Sequence, residues 1–199
     1  YLETKRLAFP RFYFASSADL LDILSNGNQP LLVARHLTKL FDSMAKLTML
    51  TEDGVETITA THMTAKDGEL VEFSEPCVCD GQVEIWLNRL MDTMRETIRI
   101  EFVKSMQTYT QKPREKWLFD YPAQVSLAGT QIAWNTEVSK SFSKLEEGYE
   151  NALKEYYKRQ IAMLNMLITL LLGALTKGER QKVMTICTID VHSRDVVSK

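Results

Sequence analysis

The clearest structural signal in the sequence is VEIWLNRLMDTMRETIRIEF, residues 83–102. Its apolar side chains recur at intervals of three and four residues, and they are Val83, Trp86, Leu87, Leu90, Met91, Met94, Ile98 and Phe102. This spacing places them on one face of an α-helix. It predicts a long amphipathic helix from about Gly81 to about residue 111, which Lys112-Pro113 ends.

The helical pattern continues to the C-terminus. We expect further helices near residues 114–119, from Pro122 to about 145, over about 149–175 and over about 179–197. Gly148 and Thr176-Lys-Gly178 mark turns between the last three. Short turns between long helices favour antiparallel packing. The predicted fold class is therefore mainly α, an elongated antiparallel helical bundle or rod, with a small β-hairpin in the N-terminal third.

The N-terminal third opens with FPRFYFASSADLLDIL, residues 9–24, which puts four aromatic rings around Pro10. Because proline lacks an N–H and holds the preceding residue extended, the aromatic block is expected to be strand or irregular chain. Ser16 or Ser17 can then cap a short helix that carries Asp19 in its first turn.

The next segments are mixed in character. A second helix is predicted from its apolar residues, which are Leu32, Val33, Leu37, Leu40, Phe41 and Met44. Strands are predicted near 57–64 and 69–74 around the turn signal Asp67-Gly68, with an irregular surface loop as the alternative. We accordingly divide the chain into residues 1–80, short helices plus the hairpin, and residues 81–199, the long helices.

Composition narrows the class of protein. The 24 basic and 26 acidic residues nearly cancel, and no basic surplus points to a nucleic-acid or membrane partner. Three cysteines make an odd count, which argues against a disulfide framework and fits a reducing compartment. The apolar run 161–175 is shorter than the ~20 residues of a membrane span. We interpret the chain as a piece of a longer protein.

Candidate chemical motifs favour structural interpretations. Gly173-Ala-Leu-Thr-Lys-Gly178 lacks the lysine and hydroxyl positions of a phosphate-binding loop, and we interpret it as a helix–helix turn. Cys77-Val-Cys79 does not have the spacing of zinc ligands, and His36, His62 and His192 are scattered. We interpret the two thiols as lying in or beside a strand.

Two charged clusters have local interpretations. Asp190 and Arg194 are four residues apart, so on a helix they can pair beside His192. His192 could serve as a general base, but an ion-paired helix end is the favoured interpretation. Lys112, Arg114 and Lys116 beside Trp117 could contact an acidic partner. The favoured interpretation is a solvated turn with Trp117 anchored inward.

Five segments, in the family's order, resemble landmarks of the linker region of dynein heavy chains. They are FPRFYFASSADLLDIL (9–24), GQVEIWL (81–87), YPAQV (121–125), QIAW (131–134) and TIDVHSRDVV (188–197). The last resembles the segment that closes the linker before the first AAA+ module. The resemblance covers essentially the whole chain. The sequences of three segments are most similar to axonemal outer-arm beta-type heavy chains, and they are YLETKRLA (1–8), DYPAQ (120–124) and ICTID (186–190).

The resemblance implies a mechanical element, the C-terminal part of the linker. In the family this rod bends and straightens over the AAA+ ring and gives the ATP-driven power stroke along microtubules in ciliary and flagellar beating. The implied partners are the AAA+ ring of the same heavy chain, microtubules and other dynein chains, with no nucleic acid and no membrane. ATP and Mg²⁺ would bind in the parent motor's ring, in the cytoskeleton of the axoneme.

Within this segment the expectation is therefore no catalytic, cofactor-binding or metal-binding residue, and no enzyme activity. Breaks at Pro113, Pro122, Gly148 and Gly178, and the boundary near residues 76–82, are the places where the segment could flex. The alternative function, from another class, is a static helical protein-interaction scaffold with no motor role.

Overall fold

The computed structural model describes residues 1–198. The chain divides into two compact units, Tyr1–Ile100 and Glu101–Lys199. The first unit contains α1 (Leu2–Ala8), a 3-10 helix (Pro10–Phe14), α2 (Ser17–Ser25), α3 (Pro30–Ala34), α4 (Leu37–Leu40), β1 (Met44–Glu52), β2 (Val55–Ala65), β3 (Leu70–Val78) and most of α5 (Val83–Thr108). The second unit contains the end of α5, α6 (Arg114–Asp120), α7 (Ala123–Glu146), α8 (Ala152–Leu172) and α9 (Lys177–Val197). The mainly α class with a small β element is confirmed, whereas the division at residue 80 rests on sequence character and stays a prediction.

The core of the first unit forms around the apolar face of α5. Trp86, Leu87 and Leu90 are fully buried there, as the three- and four-residue spacing predicts. Phe9 and Phe12 are also fully buried, and their rings pack edge to face with centroids 4.9 Å apart. Phe9 and Phe12 therefore belong to the same core as the long helix, whereas Tyr13 and Phe14 of the aromatic block are exposed.

The aromatic block is helical, contrary to the prediction of strand or irregular chain. Phe9 is extended, as expected for a residue before proline, but Pro10 begins a 3-10 helix that runs to Phe14. Proline suits the first helical position because its fixed φ is helical and an N–H there has no intrahelical partner. Ser16 then caps α2 as predicted, its hydroxyl accepting a hydrogen bond from the Asp19 N–H. Helix α1 precedes this block and is absent from the sequence-based prediction.

The predicted second helix is wrong in its extent. Two short helices, α3 and α4, replace it, and Met44 is the first residue of β1. Ser43 has a positive φ of 63°, so the helical path ends before Met44. Helix α4 and strand β1 both turn apolar residues toward one core, and their combined pattern resembles the face of a single helix.

The two predicted strands exist within a larger sheet than expected. β1, β2 and β3 form an antiparallel sheet in that order, with Ala60 of β2 opposite both Met49 and Cys77. Gly68 makes the predicted β2–β3 turn with a φ of 90°. The sequence analysis missed β1 and its connection to β2, which Asp53-Gly54 makes with both φ values positive. An Asp-Gly pair is a recognised hairpin signal, so the sequence did carry this information.

The helices of the second unit follow the prediction closely. Pro113 immediately precedes α6, Pro122 immediately precedes α7, and Gly148 lies between α7 and α8 with a φ of 99°. α7, α8 and α9 are joined by short connections and pack against one another. Leu164 and Leu167 of α8 and Val183 and Ile186 of α9 are buried in this packing.

Candidate functional site

The segment closest to a phosphate-binding loop, Gly173–Gly178, connects α8 to α9. Thr176 is the N-cap of α9, and its hydroxyl accepts a hydrogen bond from the Glu179 N–H at 3.2 Å. The Glu179 carboxylate accepts one from the Thr176 N–H at 2.8 Å. This reciprocal capping box makes the segment the helix–helix turn that its sequence predicts.

The residues weighed as metal ligands lie on different elements. Cys77 is in β3 and Cys79 just after it, His62 is in β2, and His36 lies between α3 and α4. Within residues 1–198, no three or more His, Cys, Asp or Glu side chains are grouped so as to hold a metal ion. That this segment carries no metal, cofactor or catalytic residue stays an expectation.

The apolar run 161–175 falls mostly within α8, where Leu164 and Leu167 face the helix packing of the second unit. Among the helices of the described residues, none combines the length and the apolar character needed to cross a membrane.

The predicted pairing of Asp190 with Arg194 is wrong. Arg194 instead contacts the neighbouring Asp195, with its Nη2 at 2.6 Å from Oδ1. The Asp190 side chain is only 15% exposed and faces inward, where a different arginine reaches it. His192 is exposed on α9.

Arg114 forms a buried ion pair with Asp190 in the second unit. Its Nη1 donates to Oδ2 at 2.5 Å and its Nη2 donates to Oδ1 at 3.1 Å, so the contact is bidentate. Nη2 also lies 3.4 Å from the Thr130 hydroxyl on α7. Burial alone would lower the pKa of Arg114, but the hydrogen bond and the charge of Asp190 outweigh burial and raise it. The contact joins α6 to α9 beside α7.

The basic cluster around Arg114 is thus not the solvated turn that we favoured. Lys112 does lie at the surface, where it pairs with Asp120 at 2.6 Å, and Lys116 is exposed. Arg114 is drawn inward because its charge is neutralised there by Asp190. Trp117 is fully buried, as predicted.

Trp117 is held by contacts on several sides. Its indole N–H donates to the Ser105 carbonyl at 2.9 Å, and its ring meets that of Tyr109 edge to face at 4.9 Å. Gly129 of α7 leaves room for the ring, since a methyl group at Gly129 would lie 2.9 Å from Cη2 of Trp117. The missing side chain of Gly129 therefore sets how closely α7 approaches Trp117.

Two cations near the start of α9 bind the ends of other helices. Arg180 donates to the carbonyls of Leu171 at 2.5 Å and Gly173 at 3.3 Å, at the end of α8. Lys182 donates to the carbonyls of Leu118 at 3.2 Å and Tyr121 at 2.6 Å, at the end of α6. The final carbonyls of a helix lack intrahelical partners and carry partial negative charge, so these cations stabilise both ends.

In the first unit, an ion pair and hydrogen bonds connect other elements to the beginning of α5. Lys5 of α1 forms an ion pair and hydrogen bond with Glu84, which raises the pKa of Lys5. Trp86 donates its indole N–H to the Gly27 carbonyl at 2.9 Å, and Asn88 donates to the Ala8 carbonyl at 3.0 Å. These contacts fix α1 and the chain after α2 against α5.

Two carboxylates of α2 face the segment that contains α3 and α4. Asp19 accepts hydrogen bonds from Lys39 and Ser16, which lower its pKa to about 2. Asp22 lies 2.6 Å from Nε2 of His36, and this contact lowers the pKa of Asp22. Helix α2 is therefore tied to its neighbours by charge as well as by apolar packing.

These contacts have a shared chemical character. In each, a cation, an indole or an amide from one element binds a carboxylate or a backbone carbonyl of another. Such contacts are short and directional, so they fix the ends of helices within each unit. The arrangement can resist displacement of one helix relative to the next.

The chain is similar in sequence to a known protein family. Residues 1–105 match the family described as Dynein heavy chain, N-terminal region 2. The match covers more than half of the chain, which therefore belongs to the dynein heavy-chain family.

The similar curated proteins are axonemal, ciliary and flagellar. The chain is 64% identical over its whole length to "Dynein beta chain, ciliary" of Heliocidaris crassispina and 62% identical to "Dynein axonemal heavy chain 9" of Homo sapiens. It is 48% identical to "Dynein beta chain, flagellar outer arm" of Chlamydomonas reinhardtii. The chain spans 4% of the length of each of these relatives and is covered completely by each. The matched family description names an N-terminal region and does not name the linker.

Proposed function

We propose that this chain is a force-transmitting segment of an axonemal dynein heavy chain, in the C-terminal part of the linker before the first AAA+ module. In this proposal the linker bends and straightens over the AAA+ ring, and this segment moves within it as a rigid body that contributes to the ATP-driven power stroke along microtubules. The proposal extends the family membership, which is shown for a dynein heavy-chain N-terminal region.

The observation that carries the proposal is the bidentate Arg114–Asp190 ion pair, which joins α6 and α9 in the interior of the second unit. The bonds from Arg180 and Lys182 to the ends of α8 and α6 support it. A lever must move as a body under load, and buried directional contacts between helices give that property. The segment would supply rigidity, with the chemistry located elsewhere in the heavy chain.

The wider setting rests on the relatives. Their names place them in cilia, flagella and axonemes, so we place the parent protein in the cytoskeleton of an axoneme. Its partners would be its own AAA+ ring, microtubules and other dynein chains. ATP and Mg²⁺ would bind in that ring.

The test uses a full-length heavy chain that carries this segment. Asp190→Ala removes the buried ion pair, whereas Asp195→Ala, the matched control, removes an exposed carboxylate that pairs with its neighbour in sequence, Arg194. We expect Asp190→Ala to slow microtubule gliding more than it lowers nucleotide hydrolysis, and Asp195→Ala to leave both unchanged. Equal gliding velocities for the two variants would overturn the proposal.

A second test concerns the 199-residue chain alone. Because the proposed site of hydrolysis is the parent's ring, we expect no ATP turnover above background by this chain, with or without Mg²⁺. Measurable turnover that survives repurification would contradict the proposal.

The competing function is a static helical scaffold for partner proteins. It is favoured by apolar side chains that remain exposed in the second unit, among them Phe142 at 55% and Leu172 at 84%. Under this alternative, polar substitution of Phe142 and Leu172 would release a partner, and Asp190→Ala would not change gliding. The gliding assay therefore separates the two functions.

A further inference from the structure

We propose that the outer face of the three-stranded sheet binds a lysine-bearing amphipathic α-helix that belongs to the same heavy chain and lies outside this segment. The outer face is the side of the sheet that points away from the core of the first unit. Six of its side chains would make the contact, and they are Leu50, Glu52, Val55, Leu70, Glu72 and Val78.

The register of β1 and β2 places their side chains on this face. Leu47 and Met49 are buried in the core, and side chains alternate along a strand, so Leu50 and Glu52 point outward. Val55 lies directly opposite Glu52 across the hairpin. Directly opposed residues of an antiparallel pair project to the same side of the sheet, so Val55 points outward as well.

Strand β3 contributes the other three side chains. Glu72 lies opposite His62 of β2, which in turn lies opposite Thr48 of β1, so this row points outward. Leu70 follows the same alternation as Glu72, and Val78 comes directly after a buried cysteine.

The apolar side chains on the outer face are open to solvent. Their exposed fractions are 68% for Val55, 60% for Leu70, 42% for Val78 and 39% for Leu50. An antiparallel sheet with one face in water commonly carries polar side chains there, because only the inner face packs on the core. Four exposed aliphatic side chains on such a face indicate a surface that another element covers.

The sheet is also the acidic part of the chain. Residues 44–80 carry eight acidic and two basic side chains, a net charge of −6, whereas the rest of the chain has 18 acidic and 22 basic ones. Helix α5 neutralises carboxylates locally, as Glu96 does with Arg99 at 3.0 Å. Within residues 1–198, Glu52 and Glu72 have no ion pair of this kind. Lys46 lies at the opposite end of β1 from Glu52.

These features define the chemistry of the occupant. The aliphatic side chains require an apolar stripe, and the carboxylates require cations beside it. An amphipathic helix with lysine at the edges of its apolar stripe supplies both, because lysine stems pack on apolar surface while their charges reach outward. Helices commonly cover the faces of sheets. Nucleic acids and anionic membranes are excluded, since their phosphates would meet Glu52 and Glu72.

The size of the outer face indicates a helix of the same polypeptide. Three strands about 4.8 Å apart and about 30 Å long present roughly 400 Å². A stable complex between separate proteins buries about 800 Å² on each partner. A helix of the same chain binds at an effective concentration of about millimolar, so a smaller face suffices. Since this segment spans 4% of the length of its relatives, a heavy chain has ample sequence to supply the helix.

The first experiment measures whether the face is covered. Carboxylates are labelled with a water-soluble carbodiimide and glycine ethyl ester, in the 199-residue chain and in a full-length heavy chain that carries it. Mass spectrometry gives the labelled fraction of each residue. We expect Glu52 and Glu72 to be labelled readily in the 199-residue chain and several-fold less in the full-length protein. Equal labelling in the two proteins would overturn the proposal.

The second experiment identifies the occupant. The carbodiimide alone joins a carboxylate to a lysine amine in direct contact, and the full-length protein is prepared as a mixture of unlabelled and isotopically labelled chains. We expect Glu52 or Glu72 to be linked to a lysine outside this segment, with both halves of the linked peptide from chains of one isotopic form. Links that mix the two forms, links to another protein, or no link from either residue would contradict the proposal.

Matched variants of the full-length protein separate this face from the rest of the surface. Val55→Ser with Leu70→Ser removes apolar contacts at exposed positions, so the fold should survive, which circular dichroism checks. We expect the yield of links from Glu72 to fall several-fold. Leu21→Ser, the control, removes a side chain that is 52% exposed on α2 and should leave the yield unchanged. Equal yields in the two variants would refute the assignment of this face. Because the readout is a cross-link and not gliding, the inference can fail separately from the proposed power stroke.

Discussion

The guanidinium of Arg114 binds the carboxylate of Asp190 through two hydrogen bonds, although the two residues are 76 positions apart. The Arg114 and Asp190 side chains are only 10% and 15% exposed. The contact therefore depends on the packed arrangement of α6 and α9, and in turn it holds that arrangement in place.

Removing one member of this pair should destabilise the chain strongly. Asp190→Ala leaves a buried guanidinium without its counterion, and we expect a loss of about 3–5 kcal/mol in the free energy of unfolding. Urea denaturation of the 199-residue chain measures this. Asp195→Ala should change stability by less than about 0.5 kcal/mol. Replacing both partners, as Arg114→Met with Asp190→Leu, should recover most of the loss. A double variant as unstable as Asp190→Ala would contradict the importance of the unpaired charge.

A methyl group at Gly129 should disturb the packing of Trp117. The added carbon would lie 2.9 Å from the ring, so Gly129→Ala should destabilise by about 1–3 kcal/mol through overpacking. Thermal melting followed by circular dichroism measures the effect. In a chain that already carries Trp117→Phe, the smaller ring leaves space, and Gly129→Ala should then be better tolerated. Strict additivity of the two substitutions would mean that the ring and the glycine do not interact.

Acid should remove the stabilising contribution of Asp19. Lys39 and Ser16 hold the pKa of Asp19 at about 2, below its ordinary value of 3.8. A folded-state pKa below the unfolded value stabilises the fold above the unfolded pKa, and this contribution disappears as the pH falls from about 4 to about 2. Asp19→Asn should therefore be less stable than the unchanged chain near neutral pH. The difference, measured by urea denaturation at several pH values, should shrink in acid. A difference that is constant with pH would refute this explanation.

The capping box of α9 should be worth about 1 kcal/mol. Thr176→Ala removes the hydroxyl that accepts from the Glu179 N–H, and loss of an N-cap of this kind costs about 0.5–2 kcal/mol. Thr185→Ala is the matched control, because Thr185 lies within α9 and bonds back to the Gln181 carbonyl. Alanine is the better helix former there, so the control should be neutral or slightly stabilising. Equal losses for the two variants would show that the cap contributes nothing specific.

Sequence reasoning identified the elements that local chemistry determines. Proline and glycine interrupt helices through their own backbone properties, as Pro113, Pro122 and Gly148 do here. The helical spacing of apolar residues on a buried face can be read directly from the sequence. The predicted boundaries of α5 to α9 follow from these signals alone. The predicted cap at Ser16 is local in the same sense, since donor and acceptor are three residues apart. The cap at Thr176 has the same spacing but was predicted only as a turn.

The failures have two different causes. Strand β1 was missed although Asp53-Gly54 signalled a hairpin, because Leu37, Leu40 and Met44 follow helical spacing across two different elements. The ion pair of Asp190 was missed for a deeper reason. Arg194 was the partner that helical spacing offered, and only the packing of α6 against α9 brings Arg114 closer.

The bonds from Arg180 and Lys182 should make the exchange of amide protons at the ends of α8 and α6 depend on the start of α9. Arg180 binds the final turn of α8, and Lys182 binds the end of α6. Both side chains come from the first turns of α9. Opening of the first turns of α9 would release both at once. The amide protons at these separate helix ends should therefore exchange with solvent deuterium as one cooperative unit, with a common opening free energy.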